Sequence, residues 1–264
     1  MMSMQEIKIP GKRILLVGAT GVLGRVYASE LAKVENVQLM IADTAQTDVL
    51  SYAIKLGVVG VEVDVSSEDS VIDCLKYVEM QFGGLDSVIN NAAATGEGLM
   101  NEGEAFSDFE DYPLAVWKKT IDINLTGVFL VAREAGRLIK ATSTCGAMIN
   151  ISSIYGVVGP DHRIYEGQSF KSFPGYSASK SGVIGLTRWL ATWWGESIRV
   201  NCVTPGGVFN QHNESFVEAY SNRVPMGRMA EREELVGIIF FLLSSSSSYA
   251  TGQNFVIDGG FTTW

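Results

Sequence analysis

The sequence predicts an α/β fold with a doubly wound parallel sheet of about seven strands and helices on both faces. Short runs rich in Val, Ile and Leu recur along the 264 residues, at 13–17, 37–42, 58–63, 87–90, 147–151, 197–203 and 254–257. Runs that are apolar throughout are typical of parallel strands covered by helices on both sides. Helical patterns separate these runs, and such alternation implies right-handed crossovers within one sheet.

One domain spanning residues 1–264 is expected, because no linker, repeat or change of composition divides the chain. Two stretches interrupt the regular alternation of strands and helices. Residues 95–113 are polar, acidic and glycine-bearing, and they are predicted to form a loop over one end of the sheet. Residues 159–175 show no strand or helix pattern, and a stretch of this length is typical of functional or disordered loops.

The composition is that of an ordinary globular protein, with 47% hydrophobic and 19% charged residues. A net charge of −9 argues against nucleic acid as a partner and makes an anionic membrane surface unfavourable. The longest apolar run, 235–243, is much shorter than a membrane-spanning helix requires. Residues 1–10 lack the apolar stretch of a secretory signal, so a cytoplasmic location is expected.

The cysteine pattern points to a reducing compartment. Cys74, Cys145 and Cys202 are odd in number, far apart in sequence and without CxxC spacing. Buried free thiols are therefore expected rather than disulfides. A chain of this length buries enough surface to need no metal for its core, and no metal site is predicted.

The first predicted strand leads directly into a glycine-bearing turn, Gly18-Ala19-Thr20-Gly21-Val22-Leu23-Gly24, and a helical pattern follows it. Glycines at such a turn allow close approach of the backbone to a pyrophosphate, which the positive end of the helix stabilises. Taken alone, this spacing also occurs in ordinary tight turns. Its position between the first strand and first helix predicts a dinucleotide site.

The second predicted strand ends next to Asp43. A carboxylate at this distance from the glycines accepts hydrogen bonds from the adenosine ribose hydroxyls and repels a 2′-phosphate. Neither the glycine turn nor residues 44–47 offer an arginine or lysine for that phosphate. NAD is therefore favoured over NADP, the alternative being that Asp43 simply ends a strand.

Tyr176 and Lys180 are four residues apart and share one face if the segment is helical. No other tyrosine in the chain has a lysine at this offset. A nearby ammonium and a nicotinamide cation would both stabilise phenolate, and so we expect a lowered pKa for the Tyr176 phenol. Tyr176 is predicted to be the catalytic acid/base and Lys180 its partner.

Together these motifs resemble the short-chain dehydrogenase/reductase family over essentially the whole chain. Further pieces of the family pattern follow in order: Asp64-Val65, Asn90-Asn91-Ala92-Ala93, Asn124, Ile151-Ser152-Ser153, Pro205-Gly206 and Asp258-Gly259-Gly260. The resemblance implies a Rossmann-type domain that transfers hydride at a CH–OH carbon with NAD(P) as cofactor.

By this resemblance, Ser153 hydrogen-bonds the substrate oxygen and Tyr176 passes the proton. Lys180 also holds the nicotinamide ribose, while Asn124 supports a water that relays protons to solvent. Two alternatives stay open. Ser152 could take the place of Ser153, and Asn124 could simply cap or kink its helix.

The resemblance also implies the remaining cofactor contacts, which lie in turns that follow predicted strands or on the catalytic helix. Asp64 and Val65 would flank the adenine. The other contacts are expected from Asn91, Ala92, Ala93, Tyr176, Lys180, Pro205, Gly206, Gly207 and Val208.

The chain departs from the family pattern in ways that bear on its substrate. Its glycine spacing is that of a sugar-nucleotide-modifying branch, and the interval between Ser153 and Tyr176 is longer than usual. The insertion 159–175 in that interval resembles a subgroup associated with bacterial flagellin-glycan and surface-sugar (nonulosonate) biosynthesis. Its Arg163, Tyr165 and Lys171 are predicted to contact substrate.

The function expected is NAD(H)-dependent oxidation or reduction of a small polar substrate: a sugar, sugar phosphate or sugar nucleotide. Two other classes remain, a sugar-nucleotide epimerase or dehydratase and a non-catalytic dinucleotide-binding protein. Family resemblance favours a homo-oligomer, a tetramer or a dimer. Of the apolar Trp189, Trp193 and Trp194, some are expected in the core and others at a subunit interface.

Overall fold

A computed structural model describes residue 9, residues 12–95, residue 99 and residues 106–264. The described residues form seven β-strands. In chain order these are β1 (Arg13–Val17), β2 (Gln38–Asp43), β3 (Val59–Glu62), β4 (Ser87–Asn90), β5 (Gly146–Ile151), β6 (Ile198–Pro205) and β7 (Asn254–Ile257).

The seven strands lie in one parallel sheet with the order β3-β2-β1-β4-β5-β6-β7. The order runs outward in both directions from β1 and β4. Crossover connections therefore diverge between these two strands and leave a crevice beyond their carboxyl ends, where open α/β sheets bind ligands. Val17, the last residue of β1, pairs with Ala42 of β2 on one side and with Asn90 of β4 on the other.

Helices cover both faces of the sheet. They are α1 (Val22–Leu31), α2 (Val49–Leu56), α3 (Glu68–Phe82), α4 (Leu114–Ile121), α5 (Gly127–Thr142), α6 (Pro174–Trp194), α7 (Glu214–Ser221) and α8 (Val236–Leu243).

Successive side chains of β1 point alternately to the two faces of the sheet and pack into two separate hydrophobic cores. Leu15 and Val17 pack against α3, α5 and α6, whereas Ile14 and Leu16 pack against α1, α2 and α8. All four side chains are buried, because a strand between two helical layers has no solvent face. The predicted fold class, a doubly wound parallel sheet, is confirmed, and the predicted strand boundaries agree with the observed ones to within two residues.

Two other expectations meet the structure only in part. Cys74 and Cys202 are buried free thiols as predicted, but Cys145 is exposed, because it lies in the turn that leads into β5. Within the predicted loop 95–113, residues 96–98 and 100–105 lie outside the described residues, as do residues 1–8 of the N-terminal segment. In the described part of the chain, no helix combines the length and apolar character that crossing a membrane requires.

Candidate active site

The glycine turn lies at the crevice between β1 and β4 and leads into α1. The N–H groups of Gly18 and Ala19 donate to the carbonyl of Ala42 at the end of β2, at 2.8 and 3.2 Å. On the other side, the Asn91 side chain donates to the carbonyl of Gly18 at 2.7 Å. Gly21, at the start of the helix, is exposed.

Glycine is required at two positions of this turn. Gly18 has a φ of +79°, and a Cβ there would collide with the backbone of Ala92. A Cβ on Gly24 would collide with the carbonyl of Gly18. The result is a tight turn at the N-terminus of α1 with an exposed opening at Gly21. Backbone N–H groups at such a helix start favour a phosphate, so the turn fits the pyrophosphate of a dinucleotide.

Asp43 ends β2 beside the glycine turn. Its Oδ2 accepts hydrogen bonds from the Thr20 N–H at 2.8 Å and from the Thr20 hydroxyl at 2.6 Å, and its Oδ1 accepts from the Thr44 N–H at 2.9 Å. A carboxylate oxygen has two lone pairs. Oδ2 is therefore fully engaged, while Oδ1 keeps capacity to accept a ribose hydroxyl.

Arg25 was not identified from the sequence as a neighbour of Asp43 and the glycine turn. It lies on α1, one residue beyond the glycine turn, with its guanidinium 2.5 Å from the carboxylate of Asp48 and 4.7 Å from the Tyr52 ring centroid. The signal that could have found it is the position of Arg25 directly after Gly24. Its charge is balanced by Asp48, which lies in the connection that follows Asp43.

The predicted adenine neighbours differ in environment. Asp64 is exposed, and its Oδ1 accepts hydrogen bonds from the N–H and hydroxyl of Ser66 at 2.9 and 2.6 Å. Val65 is buried against Gly127, where any larger side chain would collide with it. Ala92 is partly buried on the same side of the sheet, and Ala93 follows it in the turn after β4.

Tyr176 and Lys180 lie on the first turns of α6, which begins at Pro174. Lys180 is buried, its Nζ donates to the carbonyl of Ile151 at 2.9 Å, and it lies 5.6 Å from the Tyr176 ring centroid. Burial lowers the pKa of the Lys180 ammonium to about 8, although Cys202 acts in the opposite direction. The lysine still carries its proton at neutral pH.

The predicted low pKa of Tyr176 is wrong for the protein by itself. Burial raises the pKa of this phenol, and a hydrogen bond with Ser153 offsets only part of that effect. The Lys180 ammonium is directed at a backbone carbonyl rather than at the phenol oxygen. A buried phenol without a cation at its oxygen keeps its proton.

The structure separates the two adjacent serines at the end of β5. The Ser152 hydroxyl donates to the carbonyl of Lys180 at 2.8 Å and so fastens α6 to the sheet. Ser153 lies close enough to Tyr176 to lower the pKa of the phenol, and its Oγ accepts from the N–H of Tyr155 at 3.3 Å. Ser153 is thus the serine beside the phenol.

Asn124 lies in a π-helical turn, Asp122–Thr126, which joins α4 to α5. Its buried side chain accepts from the Ala94 N–H at 2.7 Å and donates to the Ala94 carbonyl at 3.1 Å. Turns of this kind are frequent at functional sites. The side chain of Asn124 holds the segment after β4, and the irregular helix at this point agrees with the alternative that the residue lies at a kink.

The segment 205–208 continues from β6 towards the same crevice. The N–H of Gly206 donates to the Ile257 carbonyl at 2.9 Å, and Val208 forms a parallel bridge with Ala230. The N–H of Gly207 donates to the hydroxyl of Tyr220 on α7. Tyr220 was not predicted from the sequence, because no motif connects it to Pro205-Gly206.

The insertion 159–175 carries two predicted cations, and each is paired with a carboxylate. Arg163 binds Asp161 through two hydrogen bonds at 2.8 and 2.7 Å, and Arg223 lies 3.2 Å from the same carboxylate. The Arg163 hydrogen bonds lower the pKa of Asp161 to about 2. Lys171 lies 3.2 Å from Asp108.

Tyr165, the third predicted substrate residue, lies inside the insertion rather than on its surface. Its hydroxyl is 2.7 Å from the hydroxyl of Tyr155, two residues beyond Ser153. Its ring packs at 5.9 Å from the Phe170 ring centroid and at 5.6 Å from that of Phe216 on α7. Tyr155 was missed in the sequence because its partner is ten residues away in an insertion.

Comparison with known proteins agrees with this geometry. The family model described as Enoyl-(Acyl carrier protein) reductase matches residues 18–262. A short-chain type dehydrogenase/reductase of Sinorhizobium fredii is 32% identical over 96% of this chain, which spans 44% of that longer relative. Trans-4-hydroxycyclohexanecarboxylate dehydrogenase of Sinomonas cyclohexanicum is 34% identical over 99% of this chain and 96% of its own length.

Among solved structures, a short-chain dehydrogenase of Leptospira borgpetersenii with bound NAD+ superimposes with a TM-score of 0.83 at 32% identity, covering 95% of this chain and 92% of that one. The chain therefore belongs to the short-chain dehydrogenase/reductase family, as an NAD(P)-dependent oxidoreductase that acts on CH–OH groups.

Proposed function

We propose that the chain transfers hydride between NAD(H) and a CH–OH or keto carbon of a small polar substrate, within one domain formed by residues 1–264. The observation that carries this proposal is that Ser153 and Lys180 both lie next to Tyr176. The phenol is partly buried and close enough to Ser153 for that side chain to lower its pKa, and a buried lysine lies one helical turn away on α6.

In this proposal Ser153 binds the substrate oxygen and Tyr176 exchanges a proton with it. The bound nicotinamide supplies or accepts the hydride. In the direction of reduction, the neutral phenol that burial favours is the form that donates a proton. In the direction of oxidation, the Lys180 ammonium must offset the cost of forming phenolate. Asn124 maintains the wall of the site by holding Ala94, next to the predicted water path.

The cofactor proposed is NAD rather than NADP. Its pyrophosphate would lie over Gly18, Thr20, Gly21, Val22, Leu23 and Gly24. The support for this preference is the fixed negative charge of Asp43, whose Oδ1 can accept from a ribose hydroxyl, and the pairing of Arg25 with Asp48. An unpaired cation that could receive a 2′-phosphate would favour NADP instead.

The proposed substrate is a sugar, sugar phosphate or sugar nucleotide of surface-glycan biosynthesis. The support is the position of the insertion, which brings the Tyr165 hydroxyl to Tyr155 beside Ser153, together with aromatic rings suited to one face of a sugar. Arg163 is paired with Asp161 and Lys171 with Asp108. Each cation would have to leave its carboxylate to bind an anionic group of the substrate.

The working form proposed is a homo-oligomer, a dimer or tetramer. Trp189 and Trp193 stack on the outer face of α6 with ring centroids 5.4 Å apart, and their side chains are 57% and 68% exposed. Large aromatic surfaces of this kind mark contact sites between proteins more often than they face water.

The decisive experiment compares Tyr176→Phe with Tyr249→Phe, a matched loss of a phenol hydroxyl at a fully exposed position. The proposal expects Tyr176→Phe to abolish ketone-dependent NADH oxidation and to leave NADH binding intact, with Tyr249→Phe unchanged in both. Persistent turnover in Tyr176→Phe would refute the mechanism. Product analysis of UDP-sugars without net NADH change would identify an epimerase or dehydratase, and NADH binding without turnover of any substrate would identify a dinucleotide-binding protein.

A further inference from the structure

The hydroxyl pair formed by Tyr155 and Tyr165 has no role in the proposed proton transfer. The two oxygens are 2.7 Å apart, one on the short turn after Ser153 and the other on the insertion. Both side chains are only partly buried. The pair is the point at which the insertion is joined by a hydrogen bond to the turn that carries Ser153.

The pair lies beside the reacting groups. The N–H of Tyr155 donates to the Oγ of Ser153 at 3.3 Å, so the two residues occupy one rigid turn. Burial raises the pKa of both phenols of the pair, and Tyr176 lies close enough to each of them to add to that rise. Burial raises the pKa of Tyr165 to about 12.

Counting donors shows that the pair has unused capacity. Each neutral phenol carries one O–H proton and accepting lone pairs. One hydroxyl donates to the other, which leaves the proton of the accepting hydroxyl free for a third group. A polar substituent placed next to the pair would therefore find both a donor and an acceptor.

The surroundings of the pair are apolar and aromatic. Phe170 and Phe216 lie against Tyr165, with ring centroids at 5.9 and 5.6 Å, and they contact each other at 5.1 Å. On the other side of the site, Phe173 lies 5.6 Å from the ring centroid of Tyr176. Next to these apolar rings, the hydroxyl pair favours a ligand with a polar group at this position. An apolar group there would displace water from the hydroxyls and offer no hydrogen bond in return.

We propose that Tyr155 and Tyr165 together bind a second oxygen of the substrate, next to the carbon that exchanges hydride. The substrate class is then a ring that carries two neighbouring oxygen functions, a cyclic hydroxyketone or diol, rather than a simple cyclic alcohol. This inference rests on the proposed function of Tyr176. It adds which residues recognise the second oxygen of the substrate.

The test uses cyclohexanone and 2-hydroxycyclohexanone with NADH on the wild type, Tyr155→Phe, Tyr165→Phe, the double variant and Tyr249→Phe as control. We expect the wild type to prefer the hydroxyketone by about tenfold in kcat/KM. Each single variant should lose that preference, so that its kcat/KM for the hydroxyketone falls to that for cyclohexanone. The double variant should resemble the singles, because the two hydroxyls act as one unit.

A second readout does not depend on turnover. Titration of the enzyme–NAD+ complex with cyclohexane-1,2-diol and with cyclohexanol gives a Kd for each ligand. The ratio of the two Kd values reports what the second hydroxyl contributes to binding. We expect tighter binding of the diol in the wild type and equal binding in Tyr165→Phe. Equal binding of both ligands by the wild type, or an equal loss for both in the variants, would overturn the inference. Selective diol binding without turnover in the wild type would refute the proposed function alone.

Discussion

The carboxylate of Asp43 accepts two hydrogen bonds from Thr20, one from the backbone N–H at 2.8 Å and one from the hydroxyl at 2.6 Å. This contact joins the end of β2 to the glycine turn across 23 residues of sequence. It fixes the direction of a negative charge at the corner where the adenosine ribose of a dinucleotide would lie. The proposed preference for NAD therefore depends on a residue and on the turn that orients it.

We expect Asp43→Asn to lower the preference for NAD. The substitution removes the charge that repels a 2′-phosphate, so the ratio of kcat/KM for NAD to that for NADP should fall about tenfold. Thr20→Val leaves the charge but loses one contact to Oδ2, and it should raise KM for NAD while the ratio stays in favour of NAD. Asp73→Asn, an exposed carboxylate paired with Lys76, is the control. An unchanged ratio in Asp43→Asn would contradict this account.

Lys180→Met should impair oxidation more at neutral pH than at alkaline pH. In the proposed mechanism, oxidation needs the Tyr176 phenolate, and burial raises the pKa of this phenol. The Lys180 ammonium is proposed to offset that rise. Without the ammonium, the apparent pKa in the pH profile of kcat/KM should move upward, and activity at pH 7 should fall about a hundredfold. Lys76→Met on the surface of α3 serves as the matched substitution. If the apparent pKa in the pH profile of kcat/KM does not change in Lys180→Met, Lys180 acts only by binding the cofactor or by stabilising the fold.

Arg163→Ala tests whether the insertion recognises an anionic substrate. Its guanidinium is exposed and bound to Asp161. If a phosphate displaces Asp161, KM for a sugar phosphate should rise about fivefold in the variant, with that for the neutral sugar unchanged. Arg137→Ala, an exposed arginine on α5, is the control. Asp161→Asn should act in the opposite direction, and equal KM values in all variants would exclude this group as an anion site.

A structural ion pair at the amino-terminal edge of the sheet gives a prediction about stability. Arg13 binds Asp86 through two side-chain hydrogen bonds at 2.9 and 2.8 Å. Burial opposes ionisation of Asp86, but the hydrogen bonds from Arg13 outweigh it and lower the pKa to about 2. We expect Arg13→Ala to reduce the free energy of unfolding by about 1–2 kcal/mol at pH 7, since the pair is partly open to solvent.

The sign of the pH dependence follows from the lowered pKa of Asp86. The stabilisation is complete above the ordinary range of a free carboxyl and is lost as the pH falls towards 2. Urea unfolding should therefore show a difference between wild type and Arg13→Ala that narrows from pH 6 to pH 3. Lys76→Ala, which removes an exposed pair, should cost under about 0.5 kcal/mol at any of these pH values. A difference that stays constant with pH would assign the effect to packing.

The stacked Trp189 and Trp193 should control self-association. Replacement of both with Ser removes exposed aromatic surface and no buried contact of the core. Light scattering coupled to size-exclusion chromatography should find a dimer or tetramer for the wild type and a smaller species for the variant. Tyr249→Ser changes a fully exposed aromatic elsewhere and should have no effect. A monomeric wild type would refute the proposed oligomer.

Local sequence was sufficient for the sheet and for the motifs that lie at its edge. Runs such as those of β4 and β5 are apolar throughout because each strand is covered on both faces, so their positions follow from composition alone. The glycine turn, Asp43, Ser153, Tyr176 and Lys180 lie at strand ends or one helical turn apart, where neighbours in sequence are also neighbours in space.

The sequence by itself determined the fold class and the places where chemistry could occur, because hydrophobic periodicity and short-range spacing are local properties of a chain. Tertiary structure decided the rest. It alone paired Lys171 with Asp108, set Tyr155 against Tyr165, and placed Tyr220 under Gly207. These contacts join segments that no motif connects, and burial, which raises the pKa of Tyr176, depends on everything packed around the phenol.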